Sequence, residues 1–490
     1  MKKIILLLMI LFIFCACAVF SKSEDTSINV GLVLNAQKAA FRSGSVFKVF
    51  DESKKECIAE TRYIKIFIEN GLFKTDDKHY NIKKIKLIPG KKPIAIYSGP
   101  YYIPYRGNFI LYAKSLSYFS VINEVDINEY LVSVLGSEVS SEWPIESLKS
   151  QAVAARTYAL YKKEKNKLKE KREFDVVDTV KDQVYNGILS EAPSCKKAVY
   201  STDNLVMRYN GKLIKAYYHS CCGGYTQDGN TVFEEGGRYL QSVECPYCIK
   251  SARIKWKKII SSEEIKKTLE GLGEKTGKIY FIEPEYYKDS GRLDDLIIFH
   301  TFGESILSAV DLRVSMGPRN LKSTNFKIIE GKVFDLSENM AKRKFKNLYD
   351  KEGSRLNYKP EPGEEDGSGV AINRYNKDKI SVIGAGNNVK RKDLLSVNII
   401  NNSQDIKVRD SIFILSPESD DTDYFVYMPF ALFDDKTDKI KIPVSFILYG
   451  KGWGHGVGMC QWGAYGMSKG GSDFKRILNH YYTDIKIEEY

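Results

Sequence analysis

The 490-residue sequence lacks the short motifs that would assign a nucleotide or serine-hydrolase chemistry directly. It contains no G-x-x-x-x-G-K-[ST] loop and no G-x-S-x-G elbow. The glycines of GKGWGHGVG are spaced by two, which matches neither a dinucleotide-binding loop nor a kinase loop. Tandem repeats are absent, and so is the glycine at every third position that a collagen-like chain requires. These absences argue against nucleotide chemistry.

Acidic residues are outnumbered by basic ones. There are 62 Asp and Glu against 74 Lys and Arg, which gives a formal net charge of +12. This balance favours polyanions, membrane surfaces or an anionic cell envelope as partners, without choosing among them. A hydrophobic share of 43% and an aromatic share of 12% exclude a wholly disordered chain. Only one apolar run reaches membrane length.

That run lies at the N-terminus, where Lys2 and Lys3 precede residues 4–20 without a charged side chain. A basic start followed by an apolar stretch is the export pattern. Three outcomes stay open: cleavage around Ala16-Cys17-Ala18, lipidation of Cys17, or retention as a short membrane anchor. Each of them predicts an exported protein of the cell envelope, periplasmic or extracytoplasmic, whose positive charge meets envelope polymers. We therefore expect no nucleic-acid partner.

The hydrophobic pattern predicts an α+β fold. Residues 27–121 alternate in short β-branched and aromatic runs, whereas residues 127–138 repeat at helical spacing and Pro144 opens a second helix. The stretch KPEPGEEDGSG is a linker by composition, and strand-like runs follow it. We expect a signal or anchor at residues 1–20 and a β-rich N-terminal region at residues 27–121. A mixed catalytic core at residues 122–326, a β-rich insert at residues 327–447 and a C-terminal return to the core at residues 448–490 should follow.

Two patterns in the predicted helices suggest a site. Glu138 ends the first helix, and a carboxyl group shielded there by apolar neighbours could donate a proton near neutral pH. The alternative is a surface or capping acid, like Glu142 and Glu146 after it. Arg156 and Tyr158 interrupt a face of alanines. A buried Arg needs a carboxylate partner or an anionic ligand, and a structural ion pair is the alternative here.

Cysteines and histidines form the third pattern. The segments YHSCCGGYT and CPYC bring His219, Cys222, Cys245 and Cys248 into a spacing that suits tetrahedral zinc. Disulfides are the alternative in an exported protein. Seven cysteines lie beyond residue 20, however, and an odd number cannot all pair within one chain.

The fourth pattern is GKGWGHGVGMCQWGAYGMSKGG, at residues 450–471. Its glycines allow close backbone approach and turns of positive φ. His455 and Gln461 beside Trp453 and Trp462 suit the stacking of sugars and the recognition of their hydroxyls. A tight aromatic turn of the core is the alternative. Cys460 more readily fills a small apolar position than acts as a nucleophile.

Read together, these segments resemble the stage II sporulation protein D (SpoIID/LytB) family. INEYLVSVLGSEVSSEWPIESLKSQAVAARTYAL is similar to its central motif, and VVDTVKDQVYNG to the next one. AYYHSCCGGYT, GRLDDLIIF, RVSMGPRNLKSTNF and GKGWGHGVGMCQWGAYGMSKGGSDFKRILNHYYTDIKI follow in the family's order. The resemblance covers residues 27–326 and 448–490. It departs from the family at Val139 and Ser140, where Met-Pro is usual, and at Cys460, where Ser is usual.

The resemblance implies a peptidoglycan lytic transglycosylase that cleaves glycan strands stripped of their stem peptides and leaves 1,6-anhydro-N-acetylmuramic ends. Glu138 would be the general acid and then the base. The expected substrate-binding residues are Arg156, Tyr158, Gln183, Tyr185, His455 and Gln461. A structural zinc would be held by His219, which the family motif carries, and by the three spaced cysteines. The alternative that the family offers is a non-catalytic, glycan-binding enhancer of a cell-wall amidase, with that N-acetylmuramoyl-L-alanine amidase as partner.

Overall fold

The structure is a computed structural model. It describes residues 26–331 except 77, 169–172, 252–253 and 301, together with residues 444–490. Between these ranges it describes nine short strands, at residues 333–337, 370–374, 380–384, 398–401, 404–407, 411–416, 424–429, 433–434 and 439–443. The predicted export signal or anchor at residues 1–20 lies outside the described residues. Within the described residues, no helix combines the length and apolar composition needed to cross a bilayer.

The chain folds as two compact units. The first unit comprises the chain up to residue 218 with residues 235–241 and 458–490, and the second comprises residues 219–234 and 242–457. The boundaries between the two units therefore differ from the predicted domain boundaries at residues 121, 326 and 447. Those domain boundaries stay predictions. Residues 327–447 share a unit with residues that precede them, and residues 458–490 share one with the N-terminal strands.

The first unit is built on a ten-stranded sheet. Its strands run in the order β10-β1-β9-β8-β5-β2-β3-β4, with β6 beside β2 and β7 beside β6. Neighbours are antiparallel except β1 and β10, which are parallel. The bounds are β1 Ser27–Ala36, β2 Lys38–Asp51, β3 Glu56–Glu69, β4 Leu72–Lys74, β5 Lys84–Ile88, β6 Ile94–Ser98, β7 Tyr101–Tyr105, β8 Asn108–Ala113, β9 Phe119–Asp126 and β10 Val176–Val177.

Five helices pack in this unit. Its helices are α1 Ile127–Glu138, α2 Ile145–Lys167, α3 Pro193–Tyr200, α6 Gln461–Lys469 and α7 Phe474–Tyr481. The remaining strands are β11 Leu205–Tyr209, β12 Lys212–Leu213, β13 Tyr218–His219 at the boundary, β29 Met459–Cys460 and β30 Lys486–Glu489. The side chain of Asp126 caps α1 by accepting hydrogen bonds from the N–H groups of Asn128 and Glu129.

The predicted small-residue stripe of α2 is confirmed as a packing face. Leu148, Ala152, Ala155 and Ala159 are all fully buried and belong to the main core of the first unit. Small side chains let neighbouring elements approach the helix closely, and α1, α3 and α6 contact it. The same core takes the alternating inward residues of β1 to β9 and the apolar side of α1. Leu135 and Val139 on either side of Glu138 belong to this core, which fixes the C-terminal end of α1.

The second unit contains smaller antiparallel sheets. One has the order β14-β28-β18 and another has the order β15-β16-β17. A core cluster of their inward residues packs with the helices α4 and α5. The bounds are β14 Lys255–Ser261, α4 Ser262–Gly271, β15 Ile279–Tyr286, β16 Leu293–His300, β17 Gly303–Ser308, α5 Ala309–Met316, β18 Phe326–Glu330 and β28 Ser445–Lys451.

Strands also form in the predicted β-rich insert. Several of them pair as antiparallel hairpins, for example β20 with β21 and β24 with β25, whereas β19 pairs with β27 at the other end of the insert. The bounds are β19 Val333–Ser337, β20 Val370–Arg374, β21 Ile380–Gly384, β22 Asn398–Asn401, β23 Gln404–Lys407, β24 Ser411–Ser416, β25 Tyr424–Pro429, β26 Phe433–Asp434 and β27 Lys439–Pro443. The predicted α+β class is confirmed, because helices and mostly antiparallel strands occur together in the described residues.

Candidate functional site

Glu138 is the last residue of α1, and a glycine two residues earlier sets where this helix end lies. A Cβ atom at Gly136 would collide with the carbonyl oxygen of Ser190. Ser133, one turn back on the helix, shares a 2.9 Å hydrogen bond between hydroxyl groups with Ser190. The helix therefore packs directly on the backbone around Ser190, and only glycine fits at position 136 without displacing it.

Glu138 is half-buried. The backbone N–H of Val184 donates a 2.9 Å hydrogen bond to its Oε1 atom. Burial raises the pKa of Glu138 above its ordinary value of 4.5, and the Val184 N–H and the Gln461 side chain offset part of that increase. A carboxyl group in this state holds its proton closer to neutral pH than an exposed glutamate does, as a general acid requires.

The segment that supplies this N–H is anchored by the side chains on either side of Val184. Gln183 is fully buried: its Nε2 donates to Ala155 O at 3.3 Å and to the Tyr218 hydroxyl at 3.0 Å, and its Oε1 accepts from Tyr130. Tyr185 is 2% exposed, and its hydroxyl donates to Asn123 Oδ1 at 2.7 Å. Both were expected to bind substrate, but these contacts fit residues that position the loop.

Tyr158 and Asp182 tie down the same segment. The Tyr158 hydroxyl donates to Asp182 Oδ1 at 2.9 Å, and Asp182 Oδ2 accepts the N–H of Val177 at 3.0 Å. Lys162 forms an ion pair with the same carboxylate. Tyr158 was also expected to contact the sugar, and at 6% exposure it too is placed as a support of the loop.

Arg156, which was expected to hold Glu138 or a lactyl carboxylate, lies in the interior. Its side chain is 1% exposed. The terminal nitrogens donate to the carbonyl oxygens of Thr202, Leu205 and Val199 and to Asn128 Oδ1. The guanidinium thus joins α1, α2 and the end of α3, and burial lowers its pKa to about 10.

Two groups near Glu138 carry sugar-recognition chemistry. Gln461, 5% exposed at the start of α6, lies close enough to lower the pKa of Glu138, although its Nε2 has no well-aligned hydrogen-bond partner among the described residues. Next to it along the chain, the rings of Trp462, Trp143 and Tyr465 form a cluster with centroids 5.2–5.4 Å apart. The half-buried rings can stack on a pyranose, and the Gln461 amide can donate to its oxygens.

Tyr218 was not singled out from the sequence. Its hydroxyl accepts the hydrogen bond from Gln183, and burial together with the nearby charge of Glu138 raises its pKa well above the ordinary value. It is therefore a neutral hydroxyl group close to the acid. It directly precedes His219 in AYYHSCCGGYT. Its position near Glu138 depends on the direction in which that segment faces, which the sequence alone does not give.

The second unit gathers the predicted cysteines. The Sγ atoms of Cys222, Cys245 and Cys248 lie within 4.8 Å of one another, and those of Cys222 and Cys248 are 3.5 Å apart. All three residues are fully buried. The N–H of Cys245 donates to Gly224 O at 2.7 Å, which joins CPYC to the CCGG turn. The seven cysteines of the described residues form no disulfide.

His219 and His455 neighbour each other in this unit, with ring centroids 5.6 Å apart. His219 Nδ1 donates to Val457 O at 3.0 Å, and its buried Nε2 has no partner among the described residues. Burial lowers its pKa well below the ordinary value, so the ring is neutral. His219 is not in the group of mutually close thiols, although it has the tautomer of a metal ligand. His455 is half-buried, and its Nδ1 accepts the N–H of Val457.

The turns of the glycine-rich segment are confirmed. Gly452, Gly454 and Gly456 have φ values of +77°, +117° and +87°. A Cβ at Gly454 would press on His219, and one at Gly456 would press on Arg292. Glycine is required at both positions because the backbone is left-handed and its neighbours are close.

Comparison with known proteins supports this assignment of motifs. The family model described as stage II sporulation protein (SpoIID) matches residues 116–209. An uncharacterized protein of Brachyspira hyodysenteriae is 30% identical over 398 residues, which cover 81% of this chain and 73% of that protein. The chain belongs to the stage II sporulation protein D family. The family model covers α1, α2 and the Val184 loop, and these are the elements around Glu138.

Other relatives carry functional names. The amidase enhancer of Bacillus subtilis is 25% identical over 360 residues, which cover 74% of this chain. Stage II sporulation protein D of the same species is 30% identical over 160 residues, which cover 30% of this chain. This chain spans 40% of the first relative and 47% of the second.

Proposed function

We propose that this family member is a lytic transglycosylase that cleaves peptide-stripped peptidoglycan glycan strands, with Glu138 as the catalytic residue. The observation that supports this most is the state of Glu138, a half-buried glutamate whose pKa burial raises and whose Oε1 accepts one backbone N–H. Glycosidases that use water need a second carboxyl group, whereas an intramolecular transfer needs only one that acts twice.

In the first step, protonated Glu138 donates its proton to the glycosidic oxygen that leaves C1 of N-acetylmuramic acid. The C1–O bond breaks, and its electron pair stays on the leaving oxygen. Positive charge develops at C1 and the ring oxygen, and Glu138 becomes a carboxylate. The Val184 N–H stabilises that carboxylate, because a hydrogen bond to the charged form lowers its free energy.

In the second step, the C6 hydroxyl of the same muramic residue attacks C1. Its proton passes to the Glu138 carboxylate, and a 1,6-anhydro ring forms. The acid is restored and no water is consumed. The shelter around Glu138 serves this step, because bulk water competes for the same C1 centre.

Two groups of the first unit are proposed to hold the sugar. The unsatisfied Nε2 of Gln461 would donate to a hydroxyl or acetamido oxygen beside the broken bond. The Trp143, Trp462 and Tyr465 cluster would stack on a pyranose face. His455, in the second unit, stays a proposed sugar contact, and the net charge of +12 suits the lactyl carboxylates of a stripped strand.

The second candidate function is a non-catalytic enhancer of a cell-wall amidase. One observation favours it: the alignment with the amidase enhancer covers 74% of this chain, against 30% for the sporulation protein. In this function, the groups around Glu138 would bind glycan and present it to an amidase partner. Both functions require export to the cell envelope, as the N-terminal pattern predicts.

We also propose a structural zinc ion in the second unit. Three buried thiols within 4.8 Å of one another are the donor set that zinc prefers, and thiolates buried without a cation would be costly. His219 is the fourth ligand expected from the sequence. The ion would join CPYC to the CCGG turn and supply stability rather than chemistry.

Products formed in water enriched in heavy oxygen separate the candidates. The full-length protein is incubated with amidase-stripped glycan strands, and the fragments are measured by mass spectrometry. A transglycosylase gives 1,6-anhydro ends, lighter by one water than hydrolysis products and free of the label. Labelled reducing ends would overturn the proposal in favour of a hydrolase. Unchanged strands, with faster release of peptides when an amidase is added, would establish the enhancer.

A further inference from the structure

One face of the N-terminal sheet carries aromatic and cationic side chains that the proposed catalysis does not use. Strands β3, β2, β6 and β7 lie side by side in that order. Inward residues such as Phe41 and Ile96 are buried in the core, so alternate residues point outward. Four of those outward residues form what we name the tyrosine face: Arg42, Tyr63, Tyr97 and Tyr102.

Strand register brings these four side chains together. Arg42 on β2 lies opposite Tyr63 on β3 and opposite Ala95 on β6, and Tyr97 on β6 lies opposite Tyr102 on β7. Ala95 is small, so the Tyr102 ring can lean across it toward β2. The Arg42 guanidinium lies 4.0 Å from the Tyr102 ring centroid, and the Tyr97 centroid is 5.2 Å from that of Tyr102.

The tyrosine face is open to solvent. Tyr63 is 53% exposed and Tyr97 is 52% exposed. Burial and the nearby Tyr63 hydroxyl raise the pKa of Tyr102, so the two side chains lie close together. Contiguous exposed aromatic rings mark recognition surfaces more often than isolated ones do. A tyrosine offers a flat apolar ring for the C–H face of a pyranose and a hydroxyl for its oxygens.

The charges of this sheet face favour an anionic ligand. In the block of these strands that pairs with β2 residues 38–42, the outward residues include three cations and no carboxylate: Lys38, Ala40, Arg42, Tyr63, Lys65, Phe67, Ala95, Tyr97, Tyr102 and Pro104. Beyond this block, the outward Glu60 and Glu69 are paired with Lys48 and Lys74. Stacking on the Tyr102 ring fixes the plane of the guanidinium and leaves its N–H edge for a carboxylate. Aromatic rings beside a fixed guanidinium match a glycan strand whose sugars carry carboxylates.

We propose that the tyrosine face is a second glycan-binding surface, which holds an anionic polysaccharide strand outside the contacts of Glu138. The rings stack on sugars and Arg42 pairs with a lactyl carboxylate. The surface shares its ligand class with the proposed function but needs no bond cleavage. An acidic protein is the competing occupant, and the experiment below distinguishes it.

The test measures binding of soluble, peptide-stripped glycan fragments to the full-length protein by calorimetry. All variants carry Glu138→Gln, so that no cleavage occurs. We expect Tyr63→Ser with Tyr97→Ser to weaken binding about tenfold, the loss of two ring contacts of ordinary strength. Arg42→Gln should weaken binding of stripped glycan but not of neutral chitin oligosaccharides. Tyr118→Ser, at a tyrosine 42% exposed outside the face, is the matched control and should bind normally.

Circular dichroism and thermal unfolding of each variant show that the sheet is intact. Equal affinity of the double variant and Tyr118→Ser would overturn the proposal. So would loss of binding to an acidic protein with glycan binding unchanged. If the chain without the Glu138 change yields no anhydro product while the double variant still binds more weakly, the proposed function fails and the tyrosine face stands.

Discussion

The backbone N–H of Val184 donates a 2.9 Å hydrogen bond to Oε1 of Glu138. It favours the carboxylate, whereas burial favours the neutral acid and has the larger effect on the pKa. The flanking side chains of Gln183 and Tyr185 are buried and hydrogen-bonded, so the loop cannot easily move this N–H. The loop thus offsets part of the increase that burial causes in the proton affinity of the proposed acid.

Replacement of Gln183 tests that relationship. Gln183→Met keeps the bulk but removes the bonds to Ala155, Tyr218 and Tyr130. The loop loosens, the Val184 bond weakens, and the pKa of Glu138 rises further. Since the reaction needs the protonated acid, the alkaline limb of the pH–rate profile should move to higher pH, with kcat reduced more than KM is changed. Lys181→Met, at an exposed position of the same loop, is the control, and superimposable profiles would contradict the positioning role.

Gly136→Ala tests the packing of the helix that carries Glu138. The added methyl group collides with the Ser190 carbonyl oxygen, so α1 must shift. We expect the free energy of unfolding to fall by about 1–3 kcal/mol. Urea denaturation measures this, with Gly271→Ala in α4 as control because its Cβ meets open space. Equal losses in both variants would show that helical glycine itself, and not the contact, matters.

Stability should depend on pH through Glu138. Because burial raises its pKa, the folded state binds this proton more tightly than the unfolded state does. This contribution to stability is complete below the unfolded pKa of about 4.5 and is lost as pH rises through the folded pKa. Glu138→Gln has no such loss, so its unfolding free energy should rise relative to the original chain as the pH increases above the ordinary pKa of 4.5. A constant difference in unfolding free energy between the two proteins over this pH range would contradict the raised pKa of Glu138.

Zinc content tests the thiol cluster. Cys245→Ser with Cys248→Ser should lose the metal and unfold at a lower temperature, because two of three close donors are gone. Cys195→Ser is the control, since Cys195 is equally buried but belongs to the first unit. Elemental analysis of purified protein is the measurement, and His219→Ala in the same assay tests the expected fourth ligand. Equal zinc content in the double variant and the control would contradict the proposed zinc site.

Much of the fold follows from periodicity. The pattern over residues 127–138 predicted α1 at its observed bounds, and the alanine stripe predicted the buried side of α2. The strand-like runs before residue 121 and after residue 370 are strands. Local patterns of this kind suffice because hydrophobic spacing reports which side of an element is buried.

Side-chain direction could not be predicted in the same way. Gln183, Tyr185 and Arg156 have the chemistry of ligands, and the sequence gives no sign that they face inward to carbonyls and amides. The Val184 contribution is a backbone N–H, which any residue provides. Tyr218 stands next to a more conspicuous histidine. Such roles depend on loop geometry, which residue type alone does not determine.

The most direct test of the central claim is the release of 1,6-anhydro products from amidase-stripped glycan by the original chain and by Glu138→Gln. The glutamine keeps the acceptor for the Val184 N–H but has no proton to donate. We predict that product formation falls at least about a hundredfold while glycan binding persists. Equal product yield from both proteins would contradict the assignment of Glu138 as the acid.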